Sequence, residues 1–290
     1  MKDSAWIQKN TGSLSGKTVA VSGSTGGLGR PLCFCLAGLG ASLLLLDRNQ
    51  KKVETLSSEL LREYPSLSLT HIPVDLSDFS SVRAAKDRLI SLSPDCLILN
   101  AGAYSIPRER CDTGFDNVFQ INFLAPYYLA RHLYPSISAR GGRIVAVGSI
   151  AHRYSATDPS DVDFSNRKKA SLVYGNAKRT LMATLPALSE KEGEIVLAHP
   201  GITFTNITAH YPPLIFALIK HPMKIIFPPP AKAVRSILWG LFAPVGRDVW
   251  IGPRLFDIWG DPKIKPLRSI PKEERRRLIS LADEIFRTLD

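Results

Sequence analysis

The chain has 290 residues, 44% of them hydrophobic, enough for one α/β domain with a full core. Lysine and arginine exceed aspartate and glutamate by eleven, but the cations are scattered, and even the densest group, KEERRR at 272–277, carries acids within it. With no basic stripe interleaved with aromatic residues, nucleic acid is not the expected partner.

Cys33, Cys35, Cys96 and Cys111 have neither zinc nor disulfide-framework spacing, so no metal is expected and the thiols read as reduced. The opening MKDSAWIQKN lacks the apolar core of a secretion signal, and the longest uncharged run, 31–46, is shorter than a bilayer span of ~20 residues. The expected location is the cytoplasm, with peripheral membrane association left open. Residues 1–14 read as an N-terminal extension of a single domain, 15–290.

Within that domain, short apolar runs alternate with amphipathic stretches. TVAVSG (18–23), SLLLLD (42–47), LSLTHIPVD (67–75), DCLILNAG (95–102), RIVAVGS (143–149) and GEIVLAHPG (193–201) read as strands. Most are apolar throughout, as in parallel strands buried on both faces. Helical patterns occupy 27–39, 50–63, 79–91 and 115–134. This alternation predicts an α/β fold with a doubly wound, Rossmann-like parallel sheet. After residue 201 the composition changes: 210–242 is rich in proline and large apolar side chains. Residues 206–245 read as a substrate lid, with ordinary core and a membrane-contact patch as alternatives. KEERRRLISLADEIFRTL closes the chain as an amphipathic helix.

The turn VSGSTGGLGR joins the first strand to the first helix. Gly23, Gly27 and Gly29 have the spacing G-x-x-x-G-x-G, not G-x-G-x-x-G, yet the physics is the same. Backbone without Cβ can approach a pyrophosphate, and the helix N-terminus offers N–H groups and positive potential. Asp47, eighteen residues past Gly29, ends the second strand, where a carboxylate can hold ribose hydroxyls and repel a 2′-phosphate. Arg48, next to it, would instead stack on adenine or take that phosphate. NAD is the favoured cofactor and NADP the alternative; a helix cap is the structural alternative for Asp47. Asp75 ends strand three and could reach the adenine edge, or serve only as a turn residue. Asn100, Ala101 and Gly102 end strand four with backbone that can lie against a cofactor.

In SLVYGNAKRT, Tyr174 and Lys178 stand four apart on one helix face. A cation about 4 Å from a phenolate favours ionisation by about 4 kcal/mol at an effective dielectric of 20, roughly three pH units. That would bring a phenol towards neutral pH, where an acid/base works best.

The stretch around YGNAK resembles the short-chain dehydrogenase/reductase family. So do AVGSIA, FQINFLAP and HPGITFT, which fall in the family's order. The resemblance implies that Tyr174 is the general acid/base, that Lys178 serves it and holds the nicotinamide ribose, and that Ser149 binds the substrate oxygen. It further implies that Asn122 maintains a proton relay and that Pro200, Gly201, Ile202 and Thr205 flank the nicotinamide. Ser24, Thr25, Leu28 and Leu76 join the cofactor contacts.

Ser149 and Tyr174 are 25 positions apart, longer than in most of the family, and the insert carries SIAHRY and DPSDVDF. This looks like the retinol-dehydrogenase-like branch. The likeness is good over about 15–205 and loose beyond. Ser22 replaces the usual threonine of the glycine loop, and Ala177 the serine that often precedes the lysine. The implied activity is nicotinamide-dependent interconversion of CH–OH and C=O on a lipophilic substrate such as a retinoid, steroid or long-chain alcohol. The alternatives are a nucleotide-binding scaffold without turnover and a C=C reductase. A homo-oligomer is a further expectation.

Overall fold

A computed structural model describes residues 4–202 and 228–289. Eight strands form one sheet in the order β3-β2-β1-β4-β5-β6-β7-β8. They are β1 (Thr18–Ser22), β2 (Ser42–Asp47), β3 (Leu69–Pro73), β4 (Cys96–Leu99), β5 (Arg143–Val147), β6 (Ile195–Ala198), β7 (Val249–Leu255) and β8 (Trp259–Pro266). The first seven are parallel, and β8 returns antiparallel on β7. The chain winds outward through β2 and β3, then restarts at β4 on the other side of β1. That reversal opens a crevice at the carboxyl ends of β1 and β4, where ligands bind in open α/β sheets.

The helices are α1 (Ser4–Asn10), α2 (Gly29–Gly38), α3 (Gln50–Glu63), α4 (Phe79–Leu92), α5 (Asn117–Phe119), α6 (Ala125–Ala139), α7 (Ala170–Thr184), α8 (Pro230–Gly240) and α9 (Lys272–Leu289). Local chemistry sets several boundaries. Asn49 caps α3 by accepting from the Lys52 N–H, and Asp78 caps α4 by accepting from those of Ser80 and Ser81. A π-helical turn, Gln120–Leu124, joins α5 to α6. The latter runs through Pro135, past the predicted end at 134, because Ile137 buries its last turn.

The core has two layers. One gathers α4, α6, α7 and α9 around residues such as Phe79, Tyr127, Leu181 and Phe286. The other gathers α2, α3 and α8, with Ile7 of α1 and Leu14. The extension predicted over 1–14 therefore contributes to the core. Burying Phe286 and its neighbours docks α9, and Arg179 of α7 holds it with a bidentate pair to Glu274 at 2.7 and 2.5 Å.

Two features go beyond the sequence reading. Residues 230–240, placed in the lid with ordinary core as an alternative, form α8, whose Val234, Ile237 and Leu238 are buried against the sheet. Apolar side chains at helical spacing made this stretch core, not cover. The hairpin β7–β8 was not anticipated, because Pro253, Gly252 and Pro262 interrupt its pattern. The rest of the predicted lid up to Phe227 lies outside the described residues. Among the described residues no helix is long and apolar enough to cross a membrane.

Candidate active site

At the end of β1, Gly23 has φ +64°, and a Cβ there would sit 2.9 Å from the Ala101 Cα. A Cβ on Gly29 would lie 2.0 Å from the Gly23 carbonyl oxygen, so glycine is required where α2 starts beneath the loop. The Ser22 hydroxyl accepts from the N–H groups of Asn100 and Ala101 at 3.0 and 3.1 Å. Asn100 returns two bonds from its amide, to the carbonyls of Ser22 and Gly23. Asn100 is thus a clamp joining the ends of β1 and β4. Ser24 is fully buried, its hydroxyl has no partner, and Asn100 Oδ1 is likewise buried and unpaired. Gly27 is exposed on the turn, and Leu28 packs against the α2 layer of the core.

Asp47 at the tip of β2 accepts from the Thr25 N–H at 3.0 Å and its hydroxyl at 2.8 Å, tying the glycine loop to the second strand. Its cap alternative is not realised, since Asn49 takes that place. Asp75 accepts from the N–H and hydroxyl of Ser77 at 2.9 and 2.6 Å, and Arg48 donates to it at 3.3 Å. Burial pushes the Asp75 carboxyl up, but these partners outweigh it and hold the group below the usual carboxylate range. A cleft of about 370 Å³ brings together Gly23, Asp47, Arg48, Asp75, Leu76, Ala101 and Gly102. Ile106 and Ile121 add apolar wall that the sequence reading missed.

Across Gly102 lie Ser149, Tyr174, Lys178 and Asn122. Ser149 follows β5 and caps a short 3₁₀ helix over 150–153, with its hydroxyl beside the Tyr174 phenol. Lys178, one turn along α7, donates to the Val147 carbonyl at 2.9 Å. Asn122 sits in the π-helical turn, a feature common at functional sites. Its amide donates to the carbonyls of Ala103 and Val118, both at 2.8 Å, and its Oδ1 accepts from the Ala103 N–H at 3.3 Å. A Cβ on Gly102 would lie 2.8 Å from Asn122 Oδ1 and 3.6 Å from Lys178 Nζ. This glycine is the seam between the cleft and the group of Asn122, Ser149, Tyr174 and Lys178.

The electrostatics differ from the expectation. Burial pushes the Tyr174 phenol up to about 12, with the Ser149 hydroxyl drawing it down and Tyr104 pushing it up. Burial also brings the Lys178 ammonium down to about 8. The expected lowering of the phenol does not prevail: burial is the largest influence on it, and the Lys178 ammonium stands 5.9 Å from the ring centroid, bonded to the Val147 carbonyl. Tyr104, edge-on to Tyr174 with centroids 5.3 Å apart, was also missed. Its only sequence signal is an aromatic residue just after NAG.

Pro200, Gly201 and Ile202 lie in the loop that follows β6, and Thr205 is outside the described residues. Gly201 has φ +84° and packs on the β7–β8 hairpin, where a Cβ would meet the Ile258 carbonyl at 2.9 Å. Behind Ser149 lies a network that sequence reasoning did not find. His152 Nδ1 donates to the Ser149 carbonyl at 2.5 Å, and Nε2 accepts from Ser269 at 2.5 Å. His199 stacks on Trp250 and pairs with the Asp257 carbonyl at 3.2 Å. Burial brings both imidazoles down to about 4, so they are neutral at pH 7.

The site fits a nicotinamide dinucleotide. Gly23 and Gly102 leave room where side chains would intrude, Ser24 and Asn100 hold unpaired polar atoms beside the loop, and Asp47 stands where a ribose would lie. Fold and site define a dinucleotide-dependent oxidoreductase. A family model for short chain dehydrogenases matches residues 17–160, and the chain belongs to the short-chain dehydrogenase/reductase family of NAD(P)-dependent enzymes. It is 28% identical over 255 residues to human retinol dehydrogenase 14, covering 80% of this chain and 76% of that one. It is 26% identical over 242 residues to mouse polyprenol dehydrogenase, covering 79% and 72%. A crystal structure of an uncharacterised protein from Mycobacterium paratuberculosis superposes with TM-score 0.76 over 96% of each chain, at 23% identity, and supports the fold.

Proposed function

We propose that the protein interconverts an alcohol and a carbonyl on a lipophilic substrate, with NAD preferred over NADP. The observation that carries this reading is the convergence of three groups on Tyr174: Ser149 beside its phenol, Lys178 one helical turn away with its ammonium 5.9 Å from the ring centroid, and Asn122 meeting the lysine at Gly102. The bound nicotinamide would supply or accept the hydride at the carbinol carbon. Tyr174 moves the proton at the substrate oxygen, donating in reduction and accepting in oxidation. Ser149 holds that oxygen and polarises it. Lys178 places a positive charge near the phenol and can hold the ribose, while Asn122 fixes the strand-four loop beside it. Gly23, Ser24, Thr25 and Gly29 shape the pyrophosphate loop, and Asp47 takes the ribose hydroxyls.

The similarity to dehydrogenases named for retinol and polyprenol supports a lipophilic alcohol. The test is a panel of retinoids, steroids and aliphatic alcohols with each dinucleotide, followed by absorbance of the reduced nicotinamide. Turnover of the lipophilic members with NAD is expected. Turnover of small polar alcohols alone would refute the substrate class, and faster turnover with NADP would refute the cofactor choice.

A further inference from the structure

We propose that the rim carrying the β7–β8 turn is a docking surface for an anionic phospholipid membrane. Among the described residues, the large apolar side chains left exposed include Tyr154 at 65%, Leu255 at 53%, Phe256 at 83% and Trp259 at 38%. Three of these belong to the hairpin. Tyr154 follows Arg153, whose guanidinium pairs with Asp257 of the turn at 2.8 Å, so the fourth is tethered to the same rim.

The turn is built to display its aromatic residue. Phe256 and Asp257 have φ +51° and +58°, and the Ile258 N–H closes the turn on the Leu255 carbonyl at 3.0 Å. Glycine or asparagine is the comfortable occupant of such a position, and a phenylalanine held there is strained. The strain is balanced from beneath: Asp257 is buried and paired with Arg153 and Lys265, and its carbonyl bonds His199.

Charge selects the partner. The exposed cations Arg254 and Lys263 lie on the two strands of this hairpin. Its acids are both compensated, Asp257 as above and Asp261 by Arg235 at 2.5 Å. A projecting Phe beside Trp, Tyr and Leu, ringed by uncompensated cations on a chain of net charge +11, has the composition of a surface that enters the headgroup region of an anionic bilayer. The rim also adjoins the loops after β5 and β6, where Ser149 and Gly201 lie, so docking would present the active site to molecules dissolved in the bilayer. This deepens the lipophilic-substrate reading and rests on it for that consequence only.

The test is co-flotation of the full chain with vesicles of phosphatidylcholine, with and without phosphatidylserine, in the absence of substrate and cofactor. Binding is therefore read independently of what the enzyme turns over. The protein is expected to float with the anionic vesicles, less with phosphatidylcholine alone, and less as salt is raised. Phe256→Gly removes the ring and relieves the left-handed strain. It should melt no lower than the parent yet lose about tenfold in vesicle partition. Arg254→Glu should weaken binding to anionic vesicles only. The proposal is overturned by absence of flotation with anionic vesicles, or by a Phe256→Gly protein that floats like its parent. A self-associating parent that the same substitution makes monomeric, without vesicle binding, would also overturn it and make the rim a contact between copies.

Discussion

Lys178 reaches past the Tyr174 ring to the main chain: its ammonium donates to the Val147 carbonyl at 2.9 Å and stands 5.9 Å from the ring centroid. The phenol, buried beside Ser149, is left at about 12 while the ammonium falls to about 8. Alcohol oxidation requires the deprotonated phenol, so its rate should rise with pH, about tenfold per unit below the phenol pKa where this step limits. Carbonyl reduction uses the protonated phenol and should be flat through neutral pH. Tyr174→Phe should lower turnover by about 10²- to 10⁴-fold while dinucleotide titration remains normal. Retention of activity within tenfold would remove Tyr174 from proton transfer.

Gly102→Ala tests the seam. The new Cβ falls 2.8 Å from Asn122 Oδ1, tighter than real contacts allow, and 3.6 Å from Lys178 Nζ. Asn122 also bonds the main chain of Ala103, so it cannot retreat without breaking those bonds. The variant should fold and lose turnover by about 10²-fold, as expected for sub-ångström misplacement of catalytic groups. Unchanged steady-state kinetics would show that Asn122 moves freely.

Asp47→Ala should narrow the gap between NAD and NADP, because the carboxylate that would oppose a 2′-phosphate is gone and Arg48 remains. A shift of about tenfold in the ratio of dissociation constants corresponds to about 1.4 kcal/mol. Loss of the Thr25 bonds should weaken both cofactors somewhat. Tighter NADP binding in the parent would show that Arg48, not Asp47, governs the pocket.

Acid should destabilise the protein through its buried imidazoles. His152 and His199 are 0% and 3% exposed, with pKa values brought from the usual 6.5 down to about 4. Between those values the unfolded chain binds more protons than the folded one, so stability is full above pH 6.5 and falls as pH drops towards 4. Each histidine contributes on the order of 3 kcal/mol across that window. Thermal melts should show the slope, and His199→Asn should flatten it by about half. A slope unaltered by that change would place the acid sensitivity elsewhere.

Most of the sheet was legible because parallel strands buried on both faces are written as continuous apolar runs. All six predicted strands are present within a few residues. The glycine loop was legible for a steric reason: Gly23 and Gly29 stand where a Cβ collides with backbone. Tyr174 and Lys178 share a face by helical spacing alone, and the family pattern then pointed to Ser149 and Asn122.

Tertiary structure decided the rest, because burial and partnership depend on what long-range packing brings near. Nothing local in PPPAKAVRSILWG separates a cover from a core helix; its place against α2 and the sheet does. The hairpin is hidden in sequence by its prolines and glycines, and is defined by the strand beside it. Spacing alone predicted that Lys178 would lower the phenol. The fold aimed the ammonium at Val147 and buried both groups, so desolvation won. The His152–Trp250–His199 network joins residues nearly a hundred positions apart, and only the pairing of β7 beside β6 assembles it behind Ser149.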